Sequence, residues 1–166
     1  MKNKRVLIVG GAPFATVDLS DALAAADYVI ACSGALQHVP DADMLVTIDG
    51  VPPVNVDASL FDNYVGRMLV GVPCECGEYY YMPYEIVGST HFRNNGLSAV
   101  RIAVEHGATD ITLIGFDNER YDAINAHLGF DGLTTAAFTT LIAELVMAGV
   151  SVKYYASGSV VPSKRK

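Results

Sequence analysis

The chain has 166 residues, 51% of them hydrophobic, and a formal charge of −7. Apolar residues spread along the whole length exclude a disordered chain, and the length suits one domain able to bury its own core. The acidic balance excludes a broad nucleic-acid groove, because such a surface repels a phosphate backbone.

The longest apolar runs, Val6 to Val9 and Leu141 to Val150, are too short or too interrupted to cross a bilayer. The Lys-containing start is not followed by a signal-peptide core, so no membrane partner is expected and a cytoplasmic location follows by default. Residues 1–160 are expected to form the domain, and residues 161–166, ending in Lys164, Arg165 and Lys166, a solvated basic tail.

In chain order, Lys4 to Val9 reads as a buried strand, because Val6, Leu7, Ile8 and Val9 form a β-rich apolar run that stops at Gly10-Gly11. A helix is predicted from Thr16 to Ala26, with Thr16 as N-cap and Asp18 in the first turn. Tyr28 to Ala31 is the second strand and runs into Cys32-Ser33-Gly34. Met44 to Ile48 is the third and stops at Asp49-Gly50. Val51 to Asn63 reads as loop with a short helix near Ser59 to Asn63. Arg67 to Val72 is a fourth strand.

Cys74-Glu75-Cys76 is a C-x-C that could bind metal or oxidise, but without a second Cys or His pair nearby the expectation is reduced thiols, as for Cys32. Glu78 to Tyr84 holds Tyr79, Tyr80, Tyr81 and Tyr84. It is either an edge strand whose rings cover the core or a loop that stacks on a base or sugar. Asn94-Asn95-Gly96 opens a helix to about His106, with Gly107 as left-handed C-cap. Ile111 to Ile114 is a buried strand ending in Gly115-Phe116-Asp117, Thr134 to Ala148 is the last helix, and Val150 to Tyr155 the last strand.

Alternating strands and helices with short connections predict an α/β fold: a single three-layer Rossmann-like domain with a mostly parallel sheet, in which Lys4 to Val9 and Ile111 to Ile114 lie away from the edges. Ligands of such sheets bind beyond the carboxyl ends of the strands, where strand order reverses. The residues to watch are therefore Gly10 to Pro13, Ser33-Gly34, Asp49-Gly50 and Gly115 to Asp117.

Gly11 lets the backbone approach a ligand closely, although Gly10-Gly11-Ala12-Pro13-Phe14 is neither the dinucleotide fingerprint nor a P-loop. Asn94, Asn95 and Gly96 combine amide side chains with the free N–H groups of a helix start, and Asn95 is expected to serve the ligand rather than the fold. Asp49 and Asp117 could take ribose hydroxyls or hold Mg²⁺. Among the four histidines, His106 reads as structural, whereas His91 and His127 lie in segments that could reach the site, His127 as a general base.

Val9 to Pro13, Arg93 to Gly96 opening a helix, and the run from His106 to Asp117 together resemble the MptE-like proteins. That superfamily includes archaeal 6-hydroxymethylpterin diphosphokinases, many small phage and prophage proteins and, more distantly, the family 42 sialyltransferases. The resemblance implies that Gly11, Ala12, Pro13, Ser33, Asn94, Asn95 and Gly96 gather round a nucleotide, with Asp117 matching the aspartate of the G-x-D strand end. The sequence departs from the pattern at Phe14, where a Ser is usual, and offers only His127 after Asp117.

Two functions follow from this reading. One is a transferase using a nucleotide or nucleotide-sugar, moving either a glycosyl group, with His127 and Asp117 as catalytic residues, or a diphosphate with Mg²⁺. The other is a non-catalytic nucleotide- or partner-binding protein of phage type. A nicotinamide-dependent oxidoreductase fits the fold but lacks the fingerprint. The apolar content and the tyrosine patch are compatible with a homodimer.

Overall fold

The period-two pattern of the first strand sets up the layers of the molecule. In β1 (Arg5–Val9), Val6 and Ile8 join one apolar core while Leu7 and Val9 join the other, and none of the four is more than 1% exposed. A strand with apolar residues on both faces must be covered on both, which is the condition of a parallel sheet sandwiched between helices. The same division recurs in β2 (Tyr28–Cys32), where Ile30 and Ala31 separate, and in β3 (Met44–Thr47), where Val46 and Leu45 do. Each large side chain buried this way contributes about 1.5–3 kcal/mol.

The computed structural model describes residues 1–11, 19–82, 84–87, 89–116 and 133–156. After β1 come α1 (Ser20–Ala25), β2, a 3-10 turn (Ser33–Gln37), β3, α2 (Ala58–Asp62), β4 (Arg67–Val70) and β5 (Glu78–Tyr79). A hairpin of β6 (Glu85–Val87) and β7 (Thr90–Phe92) precedes α3 (Asn95–Glu105), β8 (Asp110–Phe116), α4 (Leu133–Met147) and β9 (Ser151–Ala156).

The main sheet has seven strands in the order β5-β4-β3-β2-β1-β8-β9, and every neighbouring pair is parallel. The α/β, Rossmann-like architecture expected from the alternating pattern is therefore the one observed, with β1 and β8 both inside the sheet. On one face α3 and α4 supply Leu97, Val100, Phe138 and Leu141 to the core, and on the other the 3-10 turn and α2 supply Leu36 and Phe61.

Local signals explain the helix ends. The Asn94 side chain accepts from the N–H groups of Gly96 and Leu97, so the first residue of the Asn pair is the N-cap of α3. Gly107 has φ +85°, and the bonds Ala108 N to Ala103 O and Gly107 N to Val104 O close the helix as a Schellman motif. His106 sits in this last turn, with ring Nδ1 donating to the Ile102 carbonyl at 2.7 Å, a structural role as expected.

Three features depart from the sequence reading. The β6–β7 hairpin was not foreseen, since its short strands mix Glu85, Thr90 and His91 with apolar residues and show no clean alternation. It is tied down by tertiary contact, Arg101 of α3 gripping the buried Glu85 carboxylate through two hydrogen bonds. In the tyrosine-rich segment only Glu78 and Tyr79 pair as strand; Tyr80 packs on the core while Tyr79, Tyr81 and Tyr84 face outward. Finally, the expectation of reduced thiols at Cys74 and Cys76 is corrected. The turn at Glu75-Cys76 brings their Cα atoms to 5.3 Å, within disulfide range, and the two are joined, leaving buried Cys32 as the free thiol. Thr16 and Asp18, the expected start of the first helix, lie outside the described residues.

Candidate ligand site at the strand ends

The chain leaves β1 to build β2 to β5 on one side and returns to place β8 and β9 on the other, so strand order reverses between β1 and β8. At such a point the connections from adjacent strands diverge to opposite faces and leave a crevice at their carboxyl ends. Gly10 and Gly11 stand there, and they differ in kind. Gly10 is buried and its N–H donates to the Ile114 carbonyl at 2.8 Å. A Cβ on Gly10 would press on the Gly115 carbonyl and sit 2.8 Å from the Phe116 ring. Gly11 is exposed, and among the described residues the nearest atom to a Cβ there is the Ala35 nitrogen at 3.9 Å. Gly10 is thus a packing glycine, whereas Gly11 is exposed and uncrowded by the described residues at the switch point.

Ser33 follows β2 and holds φ +47°, in the left-handed region that a non-glycine residue adopts at a cost of about 1–3 kcal/mol. The surroundings enforce the turn: Gly34 is buried, and a Cβ on it would lie 3.2 Å from both Pro53 Cγ and Val56 Cγ2. Ser33 is half-buried on the strand next to β1, so Gly11 and Ser33 share the rim. Asp49 is exposed after β3, and its Oδ1 accepts from Thr47 Oγ1 at 3.2 Å and from the Val51 N–H at 3.3 Å, which shapes the turn before Gly50.

The start of α3 docks onto the same rim. Asn95 Oδ1 accepts from the Ile48 N–H at 2.8 Å, and the Asn95 backbone carbonyl faces the Cys32 thiol at 3.8 Å. Asn95 thereby joins the ends of β2 and β3, a contact with the fold that its sequence context did not announce. Burial of Cys32 pushes its thiol well above the usual range, so it stays protonated. A Cβ on Gly96 would lie 2.9 Å from the Phe138 ring and also press on Phe116. Gly10 and Gly96 therefore both make room for one edge of the Phe116 ring where β1, β8 and α3 meet.

One residue at the rim escaped the sequence reading. Arg93, immediately before the cap, donates through Nη1 to the Gly71 carbonyl at the end of β4 and through Nη2 to the Tyr84 hydroxyl, with its guanidinium 4.6 Å from the Tyr84 ring centroid. It brings a positive charge to the strand ends of an acidic protein. The signal available in the sequence was its place one residue before the Asn pair, on the first turn's approach.

Gly11, Ser33, Asp49, Asn94, Asn95 and Gly96 are thus all placed at the carboxyl side of the sheet, on adjacent strands or on the helix start docked against them. Ala12, Pro13, Asp117 and His127 lie outside the described residues. His91 is exposed on β7. Of the two carboxylates expected to hold Mg²⁺, Asp49 stands at the rim, and among the described residues no cluster of three or more His, Cys, Asp or Glu forms a metal site. No described helix is long and apolar enough to cross a membrane. A cavity of about 540 Å³ lies elsewhere, along β4 and β5, and does not include the switch point. No family model, curated protein or solved structure matches the chain.

Proposed function

We propose that the chain binds a nucleotide or nucleotide-sugar at the carboxyl ends of β1 and β2 and acts as a transferase of a glycosyl or diphosphate group. One observation carries this reading. At the point where strand order reverses, Gly11 is exposed and, among the described residues, has only the Ala35 nitrogen within 4 Å of a Cβ, beside the strained Ser33 turn. Backbone N–H groups and a hydroxyl in such a crevice suit phosphate oxygens, and the guanidinium of Arg93, anchored at the end of β4, adds positive charge to the same side of the sheet. Asp117 and His127 remain the proposed catalytic pair, and Mg²⁺ the proposed metal for diphosphate transfer. The protein would work in the cytoplasm.

A non-catalytic nucleotide binder is the second reading. It is favoured by the way Asn94, Asn95 and Asp49 direct their side-chain oxygens to backbone N–H groups of the framework. Thermal unfolding in the presence of a panel of nucleotides and nucleotide-sugars, with and without Mg²⁺, tests both readings. A ligand at about 100 times its Kd stabilises the native state by about 2.7 kcal/mol. Stabilisation lost in Ser33→Ala and Gly11→Val supports the site. Product release from the stabilising ligand, followed by chromatography, separates transferase from binder. No stabilisation by any member of the panel refutes both.

A further inference from the structure

The cysteines of the described residues are of two kinds. Cys32 is buried at the end of β2, whereas Cys74 and Cys76 are exposed and joined across the single residue Glu75. A disulfide that acts as a staple does so by closing a long loop of the unfolded chain, and this one closes almost none. Cys76 borders the cavity of about 540 Å³ beside β4 and β5, together with Met68, Arg67 and Gly77, so its sulfur is approachable from outside. The pair also rests on the turn after β3, whose Gly50 lines the same cavity. A Cβ on Gly50 would fall 2.5 Å from Cys76 Sγ and 3.1 Å from Cys74 Sγ, and Gly50 itself has φ +69°. The bond is local, open to solvent and seated on a glycine.

From this arrangement we infer that Cys74 and Cys76 form a thiol–disulfide exchange site whose co-substrate is a low-molecular-weight thiol of the glutathione class. The small thiolate attacks Cys76 Sγ from the cavity. A new S–S bond forms to Cys76 as the Cys74–Cys76 bond breaks, and Cys74 leaves as a thiolate that takes a proton from water. A second small thiolate attacks the outer sulfur of the mixed disulfide, releasing the oxidised thiol dimer and leaving Cys76 as a thiolate that is protonated in turn. Two small thiols are oxidised to one disulfide while the protein disulfide is reduced to two thiols, and the reverse sequence restores it. Exposed disulfides are the ones that exchange in this way, whereas a buried staple resists reduction until the protein unfolds.

The test uses the full chain in its native state. Protein is equilibrated across a series of reduced-to-oxidised glutathione ratios, quenched with a maleimide and weighed intact, with peptide mapping to assign the labels. The expected result is reversible labelling of Cys74 and Cys76 together, with Cys32 labelled only after denaturation. Cys74→Ser should leave a single thiol at Cys76 that captures one glutathione from the oxidised dimer, faster than Cys74 does in Cys76→Ser. Hydrogen exchange at Asp49, Gly50 and Val51 should rise on reduction, because the sulfurs no longer pack as a pair on the turn. The inference is overturned if the pair resists reduction until the protein is unfolded, or if the two thiols stay unlinked in excess oxidised glutathione. Neither result depends on any nucleotide being bound.

Discussion

Replacing each of the two neighbouring glycines by alanine separates packing from ligand access. At Gly10 a Cβ meets the Gly115 carbonyl and stands 2.8 Å from two atoms of the Phe116 ring. The carbonyl is backbone of β8, and the same edge of the Phe116 ring already lies against Gly96, so neither neighbour can yield cheaply. Overpacking of this kind costs about 1–3 kcal/mol. For a chain of this size, each kcal/mol lowers Tm by about 2–4 °C, so Gly10→Ala should lose roughly 2–12 °C. Gly11→Ala meets nothing closer than 3.9 Å among the described residues, and stiffening the unfolded chain favours the native state by about 0.4–1 kcal/mol. Its Tm should hold or rise slightly. Gly11→Val, which adds two methyl groups beyond that Cβ at an exposed position, should fold while losing nucleotide-induced stabilisation. Circular dichroism melts of the three variants, each with and without the stabilising nucleotide, give the answer. Equal losses at the two positions, or a tolerated Gly10→Ala, would refute the packing argument, and a Gly11→Val protein that binds like the parent would refute the site.

Asn94→Ala removes an acceptor shared by two N–H groups and should cost about 0.5–2 kcal/mol in urea unfolding, with Asn94→Asp restoring most of it. Asn95→Ala leaves the Ile48 N–H without its acceptor and should cost about 1–3 kcal/mol, while Asn95→Asp keeps that acceptor and should keep the melting temperature. Arg101→Met leaves the Glu85 carboxylate buried and unpaired. With Arg101 itself 35% exposed, its cost should be about 1–3 kcal/mol, below the roughly 3–5 kcal/mol of a fully buried pair, measured by urea unfolding. Arg5 holds the Asp27 carboxyl well below the usual carboxylate range through side-chain and backbone hydrogen bonds. The folded form therefore favours the carboxylate, so this contribution is present above the ordinary Asp range and is lost as pH falls below it. Asp27→Asn should be less stable than the parent near neutrality and converge with it at strongly acidic pH, in parallel melts across that range. A gap that is constant with pH would contradict this.

The run Val6 to Val9 could be read from the sequence as a buried strand because four consecutive apolar β-formers leave no face for water, and the glycines and asparagines at element ends announced where each unit stops. Those are local properties, carried by residues close together in the chain. Asn94 and Gly107 needed only their own helix to act as caps. A mostly parallel sheet with the first and late strands inside it could be expected from the handedness and layering of alternating strands and helices, but the strand order, and with it the switch point between β1 and β8, rested on contacts between residues far apart in sequence. The same limit explains the rest. Gly10 and Gly11 look alike in the sequence, and only the arrival of Phe116 from β8 makes one a packing residue and leaves the other open. Asn95 bonds to Ile48, 47 positions away, and Arg93 reaches Gly71 and Tyr84. Cys74 and Cys76 are two residues apart, but the Gly50 turn they pack against comes from the end of β3. Periodicity and propensity act along the chain, whereas steric fit and hydrogen-bond pairing between distant segments arise only once the sheet has brought them together.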